Sequence, residues 1–213
     1  MKKTYDYSLS ASKLNLKAEC PRCFWLAEKK ISERPRGIIA GIMSSLDKVQ
    51  SKYHDECRDD EDEWQPPYMY GNAPEQCLAF DEEKIKKMRQ WNSGLMAWLE
   101  IAGKTVRVIG GFDDIVVDEG YLYSPWDNKS KGREPMKDDN KWYEMQLCVY
   151  DLLLHENGHA TSGYGYLSYH WPEEFHGLSV HGTCKADERL FDRKLTPTSY
   201  TFGNKVFKLR ADR

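Results

Sequence analysis

Two acidic side chains and one lysine lie within a short, strand-rich stretch of this 213-residue chain. Asp113 precedes an apolar strand segment, and Asp127 and Lys129 stand two residues apart in the next segment. Because side chains alternate between the two faces of a strand, Asp127 and Lys129 share one face while Asn128 points to the other. A hairpin between the two segments would bring the Asp113 carboxylate beside that of Asp127.

The chemistry suited to that group is the binding of a divalent cation. Mg²⁺ takes oxygen ligands and usually accepts only one or two carboxylates from a protein. The main-chain carbonyl of Asn128 lies within reach as a further oxygen. A bound metal activates water and stabilises charge on a phosphodiester, and Lys129 can hold the attacking water or neutralise that charge. The group therefore predicts an Mg²⁺ or Mn²⁺ site formed by Asp113, Asp127 and the Asn128 carbonyl.

The same residues also fit an interpretation in which they neither bind metal nor take part in catalysis. An Asp-x-Lys tripeptide occurs by chance in charged surface strands, and Asp113 with Asp114 is the kind of pair that closes a turn. What favours the metal site is the order and spacing of the neighbouring segments.

A β-hairpin is the element expected to hold Asp113 and Asp127. The apolar residues of 105–117 predict its first side, a glycine-containing turn at 118–120 reverses the chain, and residues 121–129 predict the second strand.

A helix over residues 142–156 is predicted after a polar loop. Gln146 and Tyr150 stand four residues apart and share one helix face, where they can hydrogen-bond Lys129 or a scissile phosphate; an ordinary surface pair is the alternative. The residues expected to point toward the core are Met145, Val149, Leu152 and Leu153.

Apolar periodicity and end signals predict the remaining elements. Helices are expected after Ser8 or Ser10, over residues 38–57 and over residues 81–101, and strands over residues 164–171 and 199–209. At this length the chain is long enough for one good-sized core.

Four segments together resemble motifs of the PD-(D/E)XK nuclease superfamily, in the RecB-like branch that includes the CRISPR-associated exonucleases. GGFDDI resembles the G-x-x-D strand motif with Asp113 as ligand, and SPWDNK resembles the (D/E)-x-K motif with Asp127 and Lys129. Gln146 and Tyr150 match the Q-x-x-x-Y helix motif. The opening SLSASKLNLKAECPRCFWL resembles the start of this branch, and the four segments occur in its order.

The resemblance implies a single nuclease-like domain over residues 1–213. Its fold would be an α/β, restriction-endonuclease-like core with a mixed central sheet of four to five strands flanked by helices. Its activity would be metal-dependent DNA cleavage, exonucleolytic or end-processing on single-stranded or frayed DNA, with Gln146 and Tyr150 orienting Lys129 and the DNA. A homo-oligomer and a recombination or CRISPR-type partner protein are the further partners it implies. The competing class is a nuclease-fold subunit that binds nucleic acid or assembles with partners without cutting.

Members of that branch often carry a metal-facing histidine or acidic residue on an upstream helix. Asp47 is the candidate for this ligand, and His54 and Asp55 are weaker candidates. In the loop after the second strand, Lys131 and Arg133 can contact the DNA backbone, although a simple connector has the same composition.

Cys20 and Cys23 form a C-x-x-C pair, which is half of a zinc or iron–sulfur site. In relatives with a [4Fe–4S] cluster, one cysteine comes from this position and three come from near the C-terminus. Here only Cys184 follows residue 150. Zinc and an iron–sulfur cluster therefore stay as alternatives to free or buried thiols, which the spacing favours.

The composition is that of a soluble globular protein, with 40% hydrophobic and 31% charged residues. A net charge of −3 excludes a strongly basic bulk nucleic-acid binder, but an acidic metal site with a local basic stripe fits it. The sequence contains no run of 18 apolar residues, and its first residues lack the apolar stretch of a signal peptide. We therefore expect a cytoplasmic protein without a membrane partner.

Overall fold

The fold is that of a computed structural model, which describes residues 4–35, 41–59, 65, 66, 69, 73, 75–90, 94–181 and 194–211. The side chains at 41–45, 59, 174–181 and 194–202 lie outside that description. The described helices are α1 (Ala11–Glu19), α2 (Pro21–Glu28), α3 (Gly41–Asp59), α4 (Glu82–Met88) and α5 (Glu144–Glu156), with a 3₁₀ helix at Lys137–Trp142. The strands are β1 (Tyr7–Ser10), β2 (Cys77–Leu78), β3 (Leu95–Ile101), β4 (Lys104–Gly110), β5 (Asp114–Val117), β6 (Tyr123–Ser130), β7 (Tyr164–His181) and β8 (Lys194–Arg210).

The strands form two mixed sheets. The smaller sheet has the order β1-β4-β3, in which β1 runs parallel to β4 and β3 antiparallel to it. The larger sheet has the order β2-β5-β6-β7-β8, in which only the β6–β7 pair is parallel. The predicted α/β class, with a mixed sheet of up to five strands flanked by helices, is confirmed.

Strands β5 and β6 form the predicted hairpin, in which Asp114 is opposite Trp126. The segment predicted as the first strand of this hairpin, residues 105–117, is however divided between the two sheets. Residues 104–110 belong to the smaller sheet as β4, and β5 begins only at Asp114 in the larger sheet. Residues 111–113 connect the two sheets, so Asp113 lies at the crossing.

The prediction of one helix over residues 81–101 is wrong. The helix covers only Glu82–Met88, capped by the Asp81 carboxylate on the Lys84 amide, and residues 95–101 form strand β3. Ala102 and Gly103 have φ values of 50° and 71°, and two left-handed residues make the tight turn that joins antiparallel strands. The spacing of the large apolar residues fitted a helix, but this turn allows the segment to pair with β4 along its whole length.

Helix α5 packs against both sheets. Val149 and Leu153 belong to the core formed with the smaller sheet, and Leu147 packs with Leu167 of β7 in the larger one. The predicted inward position of Met145 is wrong, because its side chain is exposed to solvent.

Gly110 ends β4 where the strand meets α5. A Cβ atom at this position would lie 2.8 Å from Leu153 Cδ1 and 3.0 Å from Tyr150 Cε1. The strand and the helix can therefore meet this closely only because residue 110 has no side chain.

None of the helices in the described ranges combines the length and the apolar composition that crossing a bilayer requires.

Candidate metal centre

The Asp113 side chain reaches across from the crossing between the sheets to strand β6. Its Oδ2 accepts a hydrogen bond from the main-chain N–H of Asn128 at 2.8 Å. Strand β5 begins opposite Trp126, so the main chain of residue 128 runs past the end of β5. The carboxylate occupies the place beside β6 that a longer β5 would have filled, and it is held between Asp127 and Lys129.

Asp127 is fully buried and is held by two neighbours. Its Oδ1 accepts a hydrogen bond from Gln146 Nε2 at 2.8 Å, and its Oδ2 forms an ion pair with Lys129 Nζ. Among the described residues nothing donates a hydrogen bond of good geometry to this Oδ2. Buried carboxylate oxygens normally have a hydrogen-bond partner or a metal. The second oxygen of Asp127 therefore has unused capacity on the side of Lys129.

Gln146 and Tyr150 lie together on one face of α5, as their spacing predicted, and Tyr150 belongs to the core with Val149 and Leu153. The same Gln146 Nε2 also donates to the Tyr150 hydroxyl oxygen at 2.8 Å. Gln146 thus donates to Asp127, whereas the sequence predicted Lys129 or a scissile phosphate as its partner. Lys129 Nζ instead lies 4.8 Å from the ring centroid of Tyr143, whose π face attracts the cation.

The electrostatics of the pair favour a cation. Burial and the negative charge of Asp127 raise the pKa of Asp113 to about 7, although Lys129 and the Asn128 amide act in the opposite direction. Burial alone would lower the pKa of Lys129, but the two aspartates outweigh it and the pKa is raised. The surroundings therefore keep Lys129 charged and make Asp113 harder to ionise than an ordinary carboxyl group.

Asp47 lies at the edge of this pair, on α3. Its Oδ1 accepts a hydrogen bond from Ser130 Oγ at 2.9 Å, and its charge contributes to the raised pKa of Asp113. The weaker candidates point elsewhere: Asp55 pairs with Arg89, and His54 pairs with Asp114. Asp47 is thus the upstream candidate whose charge acts on the Asp113 carboxyl group.

Asp114 sits in a buried charge network that sequence reasoning missed. His54 Nδ1 lies 2.7 Å from its Oδ2, and Arg58 and Arg89 form ion pairs with it. Burial alone would raise the pKa of Asp114, but His54 and the two arginines hold it well below its usual range. The signal in the sequence was strand alternation, which puts Asp114 on the same face of β5 as the buried Val116.

Arg89 connects this network to the metal centre. Its Nε donates to the main-chain carbonyl oxygen of Asp113 at 2.8 Å, and its other nitrogens bond Asp55 and Asp114. The guanidinium therefore fixes the backbone that presents the Asp113 carboxylate.

The two predicted DNA-contacting residues lie close to the centre but share an acidic partner. Lys131 Nζ pairs with Asp139 Oδ2 at 2.8 Å, and Arg133 Nη1 lies 3.5 Å from the same oxygen. The loop is thus closed onto the 3₁₀ helix. Their role in binding DNA stays a prediction.

Cys20 and Cys23 are both free thiols, with their Sγ atoms 2.8 Å apart. Cys184, the late cysteine noted in the sequence, lies outside the described residues. The zinc and iron–sulfur alternatives therefore remain predictions.

The donor set fits a hard divalent cation. Across the described ranges, no three His, Cys, Asp or Glu side chains converge closely enough to hold a metal on their own. Two carboxylates with waters and substrate phosphate are, however, the usual set for Mg²⁺. A cation bound beside Asp113 would favour its ionised form, which burial and the charge of Asp127 disfavour.

No protein-family model matches this chain, and no curated protein matches it. Among solved structures it is similar to the crystal structure of a protein called SSO0001, at 11% identity and a TM-score of 0.41, over 99% of this chain and 71% of that chain. A likeness of this size carries no argument about function.

Proposed function

We propose that this chain is an Mg²⁺- or Mn²⁺-dependent deoxyribonuclease that hydrolyses phosphodiester bonds. The observation that carries the proposal is the hydrogen bond from the Asn128 amide to Asp113 Oδ2 at 2.8 Å. It fixes the Asp113 carboxylate beside Asp127 and Lys129, although Asp113 lies in the connection between β4 and β5 and the other two residues lie in β6. The exonuclease or end-processing mode, on single-stranded or frayed DNA, rests on the family resemblance.

Asp113, Asp127 and the Asn128 carbonyl would hold the cation, with Asp47 at its edge. When bound, the metal would activate water and neutralise charge on the phosphate. The Asn128 side chain does not compete for this role, because it is turned to the other face of β6, where its Oδ1 accepts from Trp126 Nε1 at 3.0 Å.

Lys129 acts as a fixed positive charge and hydrogen-bond donor. Its raised pKa keeps it protonated at neutral pH, so it orients the attacking water or the phosphate and does not remove a proton.

Gln146 and Tyr150 position the Asp127 carboxylate. Gln146 donates to Asp127 and to the Tyr150 hydroxyl, which leaves the hydroxyl proton of Tyr150 for another acceptor. Burial and the nearby aspartates raise the pKa of Tyr150, so this proton stays in place. A scissile phosphate oxygen is a suitable acceptor for it.

One observation favours a second candidate, a subunit that binds nucleic acid without cutting it. The charge of Asp127 is already paired with Lys129, and Asp47 already accepts a hydrogen bond from Ser130. In that case the same residues stabilise the fold, and no cation is needed for DNA binding.

A cleavage assay distinguishes the two. End-labelled single- and double-stranded DNA would be incubated with wild type, Asp113→Asn and Lys129→Ala in Mg²⁺, Mn²⁺ or EDTA. We expect metal-dependent cleavage by wild type and a loss of roughly 10²–10³-fold in each variant, because each removes a group that acts on developing charge. The product ladder reports whether digestion starts from an end.

Asp138→Asn is the matched control, because Asp138 is an exposed carboxylate on the nearby 3₁₀ helix. It should cut like wild type. If wild type binds DNA yet cuts none under any condition, the nuclease proposal is wrong and the binding subunit takes its place.

A further inference from the structure

The Cys20–Cys23 segment forms the junction between α1 and α2. Cys20 ends α1 and is also the N-cap of α2, whose first residue is Pro21. The Cys20 Sγ accepts a hydrogen bond from the main-chain N–H of Cys23 at 3.2 Å. Both side chains are partly exposed, so a reagent in solution can reach them.

The two sulfurs lie closer than a shared metal would hold them. Two thiolates bound to one tetrahedral Zn²⁺ at about 2.3 Å would be about 3.7 Å apart. The distance here is 2.8 Å, between atoms that share a hydrogen bond. Only a small approach separates this arrangement from a covalent bond, whose length is about 2.05 Å. The two thiols are therefore placed to form a disulfide bond after a small movement of their side chains.

The two thiols also differ in acidity. The Cys23 thiol, the amides of Cys23 and Arg22 and the charge of Arg34 lower the pKa of Cys20, whereas the hydrogen bond to Cys20 and burial raise that of Cys23. Arg34 is held in place by an ion pair with Glu19 at 2.5 Å. A thiol with a lowered pKa beside one with a raised pKa is the division of roles that C-x-x-C redox pairs use.

We propose that Cys20 and Cys23 are a redox-active dithiol that exchanges with compounds containing a disulfide bond. The Cys20 thiolate attacks one sulfur of the disulfide R–S–S–R, forms a mixed disulfide and releases R–S⁻. Cys23 then gives its proton to solvent and attacks the Cys20 sulfur, which forms the Cys20–Cys23 bond and releases the second R–S⁻. The chain loses two electrons, and the disulfide compound gains them. This reaction is independent of the proposed nuclease activity.

The test uses the whole purified chain in glutathione buffers of graded reducing power. Remaining thiols would be alkylated, and intact mass and peptide mapping would locate the disulfide. We expect the mass to fall by two hydrogen atoms in oxidising buffer, with both Cys20 and Cys23 protected from alkylation. A reductant should restore both thiols and make them available for alkylation again.

Variants test the division of roles. Cys23→Ser should trap a glutathione adduct on Cys20, and Cys20→Ser should form an adduct on Cys23 far more slowly. Cys77→Ser is the control, because Cys77 is an exposed free thiol; it should behave like wild type. Peptide mapping of the unmutated chain does not depend on whether a variant folds.

Three results would overturn the proposal. The first is full alkylation of Cys20 and Cys23 at every buffer ratio. The second is a disulfide that joins other cysteines. The third is purified protein with stoichiometric zinc or iron that is lost in both Cys20→Ser and Cys23→Ser, which would make the pair a metal site.

Discussion

Arg89 Nε donates a hydrogen bond to the main-chain carbonyl oxygen of Asp113 at 2.8 Å. The same guanidinium pairs with Asp55 and Asp114, so one side chain at the end of α4 holds both the buried charge network and the backbone of the metal centre. We therefore expect both the stability of the fold and the proposed nuclease activity to depend on Arg89.

Replacing Arg89 by alanine should lower both the stability of the fold and the rate of DNA cleavage. Asp55 and Asp114 would each lose a partner, and removing one member of a buried ion pair costs roughly 3–5 kcal/mol. We expect a lower urea midpoint, together with a reduced cleavage rate under conditions where the variant is folded. Arg89→Lys should rescue little, because an ammonium cannot replace the fork of donors. Lys86→Ala, on the same helix but exposed, should change neither; equal effects from the two alanine variants would contradict this role.

Asp113→Asn should make the metal-free protein more stable at high pH. The folded-state pKa of Asp113 is raised to about 7, above the ordinary value of about 3.9. Between these values the folded state binds a proton that the unfolded state lacks. The free energy of unfolding therefore falls as pH rises, by at most about 1.4 kcal/mol per pH unit. The stabilising contribution of the proton on Asp113 is complete below pH 4 and is lost by pH 8.

The measurement is urea unfolding of wild type and Asp113→Asn in EDTA across this range. The variant should be the more stable at pH 8, and the difference should shrink toward pH 4. Adding Mg²⁺ at pH 8 should stabilise wild type only, since the variant has lost a ligand. A constant difference between the two proteins at every pH would contradict the raised pKa.

Asp114→Asn should have the opposite pH signature. The folded-state pKa of Asp114 is depressed, so its stabilising contribution is present above the ordinary carboxylate pKa and is lost as pH falls through the lower folded value. The variant leaves His54, Arg58 and Arg89 without their shared anion, which costs roughly 3–5 kcal/mol at neutral pH. Thermal unfolding at pH 7 and in acid would show the difference narrowing as pH falls. Glu119→Gln, in the exposed turn between β5 and β6, is the control.

Gln146→Ala should reduce cleavage more than Tyr150→Phe. The alanine variant leaves the buried Asp127 Oδ1 without its donor, at a cost of about 1–3 kcal/mol. The phenylalanine variant keeps the ring, which packs 4.6 Å from Phe112, and loses only the hydroxyl. Single-turnover cleavage rates would measure both. Glu144→Gln, exposed in the first turn of α5, should leave the rate unchanged.

Gly110→Ala should loosen the contact between β4 and α5. The added methyl group would lie 2.8 Å from Leu153 Cδ1, and overpacking of this kind costs about 1–3 kcal/mol. Leu153→Val shortens the opposing side chain, so the double variant should recover part of the loss in urea unfolding. Full additivity of the two single effects would show that the contact is not the cause.

The elements around the candidate site could be predicted from the sequence because they depend on local pattern. The β5–β6 hairpin followed from its turn, and the face shared by Asp127 and Lys129 followed from strand alternation. Helix α5 followed from its apolar periodicity. In each case neighbouring residues alone determine the geometry.

The rest depends on contacts between distant residues. Whether residues 95–101 become helix or strand is decided by pairing with β4, which the apolar spacing does not encode. Whether Gln146 bonds Lys129 or Asp127 is a matter of a few ångströms between two elements. The network around Asp114 draws on α3 and α4, whose packing no local signal specifies.

The adjacency of Asp113 and Asp114 has a consequence for aligning this chain with others. Two identical side chains occupy neighbouring positions, yet one faces the candidate metal centre and the other the interior. A gap misplaced by one residue would still match aspartate with aspartate, and its score would show no error. It would nevertheless exchange a residue of the site with a residue of the core. Pairing with β6, in which Asp114 is opposite Trp126, is the criterion that separates them.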